Sequence, residues 1–332
     1  MISRSHRVAV VQHPSVFYDR AETLRRAVAY VDEAVAGGAQ LIVFPETYVP
    51  GYPDWVWRIA PDRYDVHGPI FRQLLENAVD LSRGDLQPLQ EAARRHGVTI
   101  VCGIDELNSD FSRTTMYNTL VTIGADGSIL NRHRKLVPTN PERMIWGMGD
   151  GSGLRVVDTN SGRVGGLICW ENYMPLARYA LYAQGIEVYI ASTWDEGAVW
   201  LATMQHIAAE GRCWVVGSGS CIHGRDVLKT FPCRAEVYPT DTWINPGDSV
   251  IVAPGGKIVA GPLHQEKGIL YADCDPAEAA ATRRTLDAAG HYSRPDVFDF
   301  HVNRRAHRPA EFDGDGYTPK FDPARSALSS DA

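Results

Sequence analysis

Strand-like segments in this chain are joined in two different ways, by helices early and by tight turns later, and that mixture restricts the folds open to it. RVAVVQ (7–12) reads as a buried strand, and residues 19–36 then carry Leu24, Ala27, Val28, Val31 and Val35 at helical spacing. Gly37-Gly38 stops that helix, LIVF (41–44) is a second buried strand, Leu86 to His96 is a helix closed by Gly97, and VTIVCGI is a third strand. This βαβαβ run implies parallel crossings. The next segments change character: NTLVTIGADGSILNRHRK turns at Ala125-Asp126-Gly127, and LRVVDTNSGRVGGLIC turns at Asn160-Ser161-Gly162. Both read as hairpins. A helix from Pro175 to Gln184, the strand VYIAST, a helix from Val199 to Arg212, the strand WVVGSGS and a hairpin at Pro254-Gly255-Gly256 follow. A strand over 269–274 and a helix over 276–288 finish the core, for about ten to twelve strands in all. Parallel crossings and hairpins within one chain predict two packed sheets with helices outside, rather than one doubly wound sheet.

The chain has 332 residues, 44% apolar and 22% charged, which suits one large α/β unit with an ordinary core. Its formal net charge of −7 and lack of a basic block argue against nucleic acid or an anionic membrane as partner. LIVFPE and GGLIC are its longest apolar stretches, far below the ~20 residues of a membrane helix. MISRSHRVAVVQHP lacks the apolar region of a signal peptide, so a cytoplasmic location is expected. The six cysteines, at 102, 169, 213, 221, 233 and 274, form no CxxC pair and read as reduced thiols. Residues after about 302 have no apolar period; the folded unit is expected over 1–302, with 303–332 as a tail lacking a packed fold.

Three reactive residues stand at the carboxyl ends of strands, the edge where ligands bind in open α/β sheets. Glu46 leaves LIVFP, Lys135 ends the second strand of the first hairpin, and Cys169 ends the second hairpin. A cysteine between a strand and a following helix amino terminus lies near free N–H groups and a positive dipole end, which favours the thiolate. A buried inert thiol, a loop-capping glutamate and a solvated lysine are the bland alternatives. Their shared edge is what distinguishes them, because thiol, carboxylate and ammonium together suit covalent acyl chemistry.

FPETYVPGYPDWVW, HRKLVPTNPERMIWGMGDG, GGLICWENYMPL and LDAAGHYSRPDVF resemble segments of the nitrilase branch of the carbon–nitrogen hydrolase superfamily. The resemblance covers about residues 6–302 and implies a four-layer αββα sandwich with Glu46, Lys135 and Cys169 as the catalytic triad. It also implies a supporting role for Glu142, holding the lysine and the nucleophile. Trp170-Glu171-Asn172 after the cysteine, and Pro138-Thr139 through Trp146-Gly147, resemble enzymes acting on nitriles. WINPGDS (243–249) departs from the glycine-rich stretch many nitrilases carry there, which bears on local loop shape.

The expected reaction is addition of Cys169 to a nitrile carbon with Glu46 moving the proton, hydrolysis of the thioimidate to a thioester, and release of acid and ammonia. Lys135 and the Trp170 N–H would stabilise the tetrahedral states. Tyr52, Trp146, Trp170 and Trp194 lie in or beside the reactive segments and are candidate substrate-binding residues, with core packing as the alternative. No metal or organic cofactor is required: His206, His223 and His264 have no metal-ligand spacing. The partners are a small nitrile and water. The resemblance further implies a homodimer, through PLARYALYAQG and the Val199–Arg212 helix, that builds larger spirals, with 225–248 as a possible insertion. A cyanide-degrading enzyme, an amidase or N-carbamoyl hydrolase, and a non-catalytic assembly protein are the competing readings. The first differs by substrate, the second by turnover of amides alone, and the third by a missing triad member.

Overall fold

The computed structural model describes residues 5–232, 234–238 and 241–310. The first part of the chain runs β1 (His6–Gln12), α1 (Arg20–Ala36), β2 (Leu41–Val43), α2 (Tyr64–Asn77), α3 (Gln87–His96), β3 (Thr99–Leu107), β4 (Met116–Ile123) and β5 (Ile129–Arg134). The middle adds β6 (Val157–Thr159), β7 (Gly162–Ile168), α4 (Pro175–Tyr182), β8 (Val188–Thr193), α5 (Gly197–Gly211) and β9 (Trp214–Gly219). The last part holds β10 (Cys221–His223), α6 (Arg234–Val237), β11 (Trp243–Val252), β12 (Ile258–His264), β13 (Gly268–Cys274) and α7 (Pro276–Arg283).

One sheet has the order β13-β1-β2-β3-β4-β5, and the other β10-β11-β9-β8-β7-β6 with β12 also on β11. Within the first sheet β1, β2 and β3 run parallel, and the outer pairs β13–β1, β3–β4 and β4–β5 are antiparallel. The second repeats the scheme, with β7, β8 and β9 parallel and antiparallel partners on both sides. No repeat is visible in the sequence, yet the two sheets share one pairing pattern.

Alternation of side chains assigns the layers. Val8, Val10, Leu41 and Val43 face Val188, Ile190, Val216 and Ile251 in one buried cluster between the sheets. Their neighbours Ala9, Val11, Ile42 and Phe44 point the other way, onto Leu24, Ala27 and Val31 of α1 and Leu89 and Ala92 of α3. Tyr189, Ala191, Val215 and Val250 likewise meet Ala177 and Leu181 of α4 and Trp200, Met204 and Ile207 of α5. Strands apolar on both faces therefore make a helix–sheet–sheet–helix sandwich, as the mixed connections predict. Each large aliphatic side chain buried this way contributes roughly 1.5–3 kcal/mol.

Local signals set most boundaries. Asp19 accepts the Glu22 N–H at 2.9 Å and caps α1, and Gly97, at φ 65°, closes α3 in the left-handed region. There are differences from the sequence reading. Among the described residues there are thirteen strands, and α7 ends at Arg283, not near 288. α2 contains Gly68-Pro69, a pair that masks a helical face of Val66, His67, Ile70 and Leu74. Part of the 225–248 stretch is structural: Phe231 and Tyr238 pack edge-on against Phe17, and WINPGDS opens β11. Of the expected tail, 311–332 lie outside the described residues, while His307 donates its N–H to Asp150 Oδ2 at 2.7 Å.

The three reactive residues leave their strands as expected: Glu46 three residues after β2, Lys135 directly after β5, Cys169 directly after β7. Gly103 of β3 supports the first. A Cβ there would lie 2.3 Å from the Pro45 carbonyl oxygen and 2.4 Å from the Thr47 nitrogen, both backbone atoms of the turn that carries Glu46. Gly103→Ala is therefore expected to push that turn off β3 and to lower stability in urea by about 1–3 kcal/mol. An unchanged unfolding midpoint would show that the turn yields freely.

Candidate active site

Lys135 lies between two carboxylates. Its Nζ donates to Glu46 Oε1 at 2.9 Å and to Glu142 Oε2 at 2.8 Å, and all three side chains are at most 1% exposed. Charges this buried need further partners, and they have them. Glu46 Oε1 also accepts from Asn118 Nδ2 at 2.6 Å, and its Oε2 from the Trp194 N–H at 2.6 Å. Glu142 accepts from Tyr52 Oη at 2.5 Å and from the Thr139 N–H at 2.6 Å. The last contact is half of a capping box that opens a one-turn 3₁₀ helix, Asn140–Met144, so PTNPER folds locally to aim Glu142 at Lys135. Burial alone would lower the Lys135 pKa, but Glu46, Cys169 and Glu142 raise it, and the ammonium persists. Burial pushes the Glu46 carboxyl up from its ordinary value; Lys135 opposes the shift and Glu142 adds to it. A carboxylate raised toward neutrality is a better proton acceptor.

Cys169 sits at φ 51°, an uncommon conformation for a side chain with a Cβ. Its neighbours hold it there: Asn172 Nδ2 donates to the Cys169 carbonyl at 2.7 Å, while Asn172 accepts from Tyr189 Oη at 2.8 Å. The expected helix amino terminus is only a 3₁₀ turn, Cys169–Tyr173, with α4 starting at Pro175. Burial pushes the Cys169 thiol up and Glu46 adds to this, with Lys135 opposing. The helix end that would favour a thiolate is thus replaced by a short turn, and burial, the largest influence on the thiol, favours its neutral form.

Glu171 ties the two strand ends together. Its fully buried carboxylate accepts the Ile168 N–H at 2.8 Å, one residue before Cys169, and the Leu136 N–H at 2.7 Å, one residue after Lys135. His133 Nε2 lies 3.0 Å from the same group. Sequence reasoning quoted Glu171 only as motif, and it missed Asn118. The signal for Asn118 was a polar residue inside the otherwise apolar strand MYNTLVTI, where a buried amide requires a partner.

A cavity of about 220 Å³ opens onto Cys169 and Glu142. Tyr52, Trp170 and Trp194 line it as expected, with Tyr52 and Trp194 stacked at 4.2 Å. Trp57, Thr139, Asp195, Glu196, Ile244 and Asn245 also line it and went unread. Trp146 does not; it stands behind Tyr52 and Lys135, donating its indole N–H to Asp105 Oδ1 at 2.7 Å. The three histidines weighed as metal ligands lie apart: His206 contacts Glu210, His264 contacts Asp248, and His223 packs on Trp243. Among the described residues no group of three or more His, Cys, Asp or Glu could hold a metal ion, and no helix is long and apolar enough to cross a membrane.

The family model described as carbon–nitrogen hydrolase matches residues 7–284. The chain belongs to the carbon–nitrogen hydrolase family. Its relatives include "Nitrilase 3" of Arabidopsis thaliana, 37% identical over 316 residues that span 93% of this chain and 90% of that one. "Nitrilase blr3397" of Bradyrhizobium diazoefficiens is 39% identical over 306 residues, 92% of this chain and 94% of that one. "Bifunctional nitrilase/nitrile hydratase NIT4A" of Lupinus angustifolius is 38% identical over 317 residues, 92% and 88% of the two chains. Among solved structures, Saccharomyces cerevisiae Nit3, a member of branch 10 of the nitrilase superfamily, matches with TM-score 0.65 and 21% identity. That match covers 87% of this chain and 97% of the other. The C. elegans NitFhit protein matches with TM-score 0.69 and 20% identity, over 93% and 70%. These two show that the sandwich of this carbon–nitrogen hydrolase is the fold of that superfamily.

Within this carbon–nitrogen hydrolase the Glu171 clamp has a measurable consequence. Glu171→Gln removes the charge and leaves one backbone N–H facing an amide, so a loss of about 3–5 kcal/mol in denaturant unfolding is expected. Burial opposes ionisation of Glu171, but His133 and the two N–H donors outweigh it and hold its carboxyl below the ordinary value. A group depressed in the folded state stabilises above its unfolded pKa of about 4.3 and loses that contribution as pH falls through the folded value. The wild type should therefore lose more stability than the variant on acidification below about pH 4.3. Parallel pH–stability curves would remove Glu171 from this role.

Proposed function

We propose that this protein is a nitrilase that hydrolyses an organic nitrile to the carboxylic acid and ammonia through a covalent cysteine intermediate. The observation that carries the reading is identity of 37–39% to proteins named nitrilases over more than nine-tenths of the chain. A buried thiol, carboxylate and ammonium at one sheet edge supply the chemistry such a reaction needs.

In this reading Cys169 is the nucleophile, Glu46 the general base and acid, Lys135 the electrostatic stabiliser, and Glu142 the support that holds Lys135. The Cys169 sulfur adds to the nitrile carbon; the thiol proton passes to Glu46 and on to the nitrile nitrogen, giving a thioimidate. Water adds to the thioimidate carbon, losing a proton to Glu46. The resulting tetrahedral species collapses as its nitrogen takes that proton and, relayed by Glu46, the proton of the new hydroxyl; ammonia leaves, the C–OH becomes C=O, and a thioester remains. A second water, deprotonated by Glu46, cleaves the thioester to the acid and restores the thiol. Because two N–H bonds of Lys135 are committed to Glu46 and Glu142, its third is available to the negative charge that develops on the adduct. A neutral resting thiol beside a raised carboxylate suits this order, since the proton moves as the sulfur attacks.

Tyr52, Trp170 and Trp194 would bind the substrate, with Trp146 fixing Tyr52 and Lys135 from behind. A reduced, cytoplasmic setting agrees with the free cysteines at 102, 169, 213, 221 and 274, all buried. Exposed Leu176 of α4 and Val199 of α5 give these helices the apolar face that a homodimer, and from it a spiral, would cover.

Cys169→Ala is expected to reduce ammonia release from a responsive nitrile on the order of 10⁴-fold or more, with thermal unfolding near that of the parent. Ammonia, acid and amide measured on paired nitrile and amide substrates test the rest. Near-parental release by the alanine variant would refute the nucleophile, and turnover of amides alone would place the protein with the amidases. Light scattering on the eluted peak tests assembly, and a monomer would refute it.

A further inference from the structure

We propose that Asp195 and Glu196 make the mouth of the Cys169 cavity a charge filter, admitting neutral and cationic nitriles and turning back anionic ones. This inference rests on the nitrilase reading for the substrate's chemical class, but not for the filter itself.

The walls and the charges of the cavity point the same way. Tyr52, Trp57, Trp170 and Trp194 supply aromatic surface, which accepts apolar groups and the face-on approach of a cation. The charged residues lining it are Glu142, Asp195 and Glu196, all acidic, and no Lys, Arg or His is among them. Lys135, behind the wall, does not reverse the sign, because its one positive charge faces the two negative charges of Glu46 and Glu142.

The two mouth carboxylates differ in how they are held. Asp195 is fixed: its Oδ2 accepts from Trp170 Nε1 at 3.1 Å and from Tyr173 Oη at 2.9 Å, and its Oδ1 from the Glu196 N–H at 2.9 Å. These donors are neutral, so its charge is oriented but not cancelled. The Glu196 carboxylate forms no hydrogen bond or ion pair among the described residues. The next acid along, Asp248, is by contrast paired with His264 at 2.7 Å. Burial, then Asp248 and Asp195, push the Glu196 carboxyl up, and His264, which is paired with Asp248, opposes them only in part. An incoming carboxylate meets that uncompensated charge before it reaches Cys169, whereas an ammonium is drawn in.

The test separates the filter from the reaction. Alkylation of Cys169 by neutral iodoacetamide and anionic iodoacetate, followed by peptide mass mapping, gives a rate ratio that is divided by the same ratio for N-acetylcysteine. A normalised preference of about tenfold or more for iodoacetamide is expected at low salt, shrinking at high salt. Glu196→Gln should reduce the preference several-fold and Glu196→Lys should abolish or invert it, since Glu196 is exposed and its replacement leaves the fold unstrained. A normalised ratio near one, or a ratio that Glu196→Lys leaves unchanged, overturns the filter. In parallel, kcat/KM for a neutral arylaliphatic nitrile and its carboxylate- and ammonium-bearing analogues should rank anionic last, with Glu196→Lys narrowing the gap. No ammonia from any nitrile, with the alkylation preference intact, would sink the nitrilase reading and leave the filter standing.

Discussion

The ammonium of Lys135 between the carboxylates of Glu46 and Glu142 is the interaction around which this molecule is arranged. Three charges fully removed from water are tolerable only if every lone pair and proton has a partner, and an error of an ångström in any contributing strand would leave one unpaired. Glu46 comes from the end of β2, Lys135 from β5 and Glu142 from the 3₁₀ turn beyond it, so the sheet register and the capping box are both fixed by the same cluster. Asn118 of β4, Tyr52, the Trp194 N–H and Thr139, which caps the turn that carries Glu142, complete it. The cluster carries one net negative charge, but burial is the larger cause that raises both the Cys169 thiol and the Glu46 carboxyl, with Lys135 opposing each shift.

How much of this was legible in the sequence depended on whether a feature is local. The strands were readable because they are apolar on both faces and bounded by turn residues, as with VYIAST and LIVF. The edge carrying Glu46, Lys135 and Cys169 followed, since strand ends need no tertiary information. α2 was missed because Gly68-Pro69 reads as a break, although the core contacts of Ile70 and Leu74 override it. The dipole argument for Cys169 failed for a related reason: a helix was inferred from the Pro175 signal, and the intervening 3₁₀ turn places the sulfur in the protein interior instead of at a helix end.

Long-range partners were beyond reach. Glu171 is visible as a letter in CWEN, but its acceptor role depends on Leu136, 35 positions away, which only the pairing of hairpin ends across two sheets brings near. Trp146 and Trp194 could not be told apart by proximity in sequence: one lines the cavity through its stacking on Tyr52, while the other is turned away by the hydrogen bond to Asp105. The mouth acids are a sharper case, because Asp195 and Glu196 look like ordinary surface residues until the chain places them beside Trp170 and Tyr173.

The pairing of β1 with β13 has a consequence for how the chain is made. His6 lies opposite Cys274 and Gln12 opposite Gly268, so the first strand among the described residues is completed by the last one among them. During synthesis the open edge of β1, whose inner residues are Val8 and Val10, waits for β13, more than 250 residues further on, and its exposed N–H and C=O groups can template wrong partners meanwhile. Such a topology folds slowly, because the closing contact joins residues more than 250 positions apart.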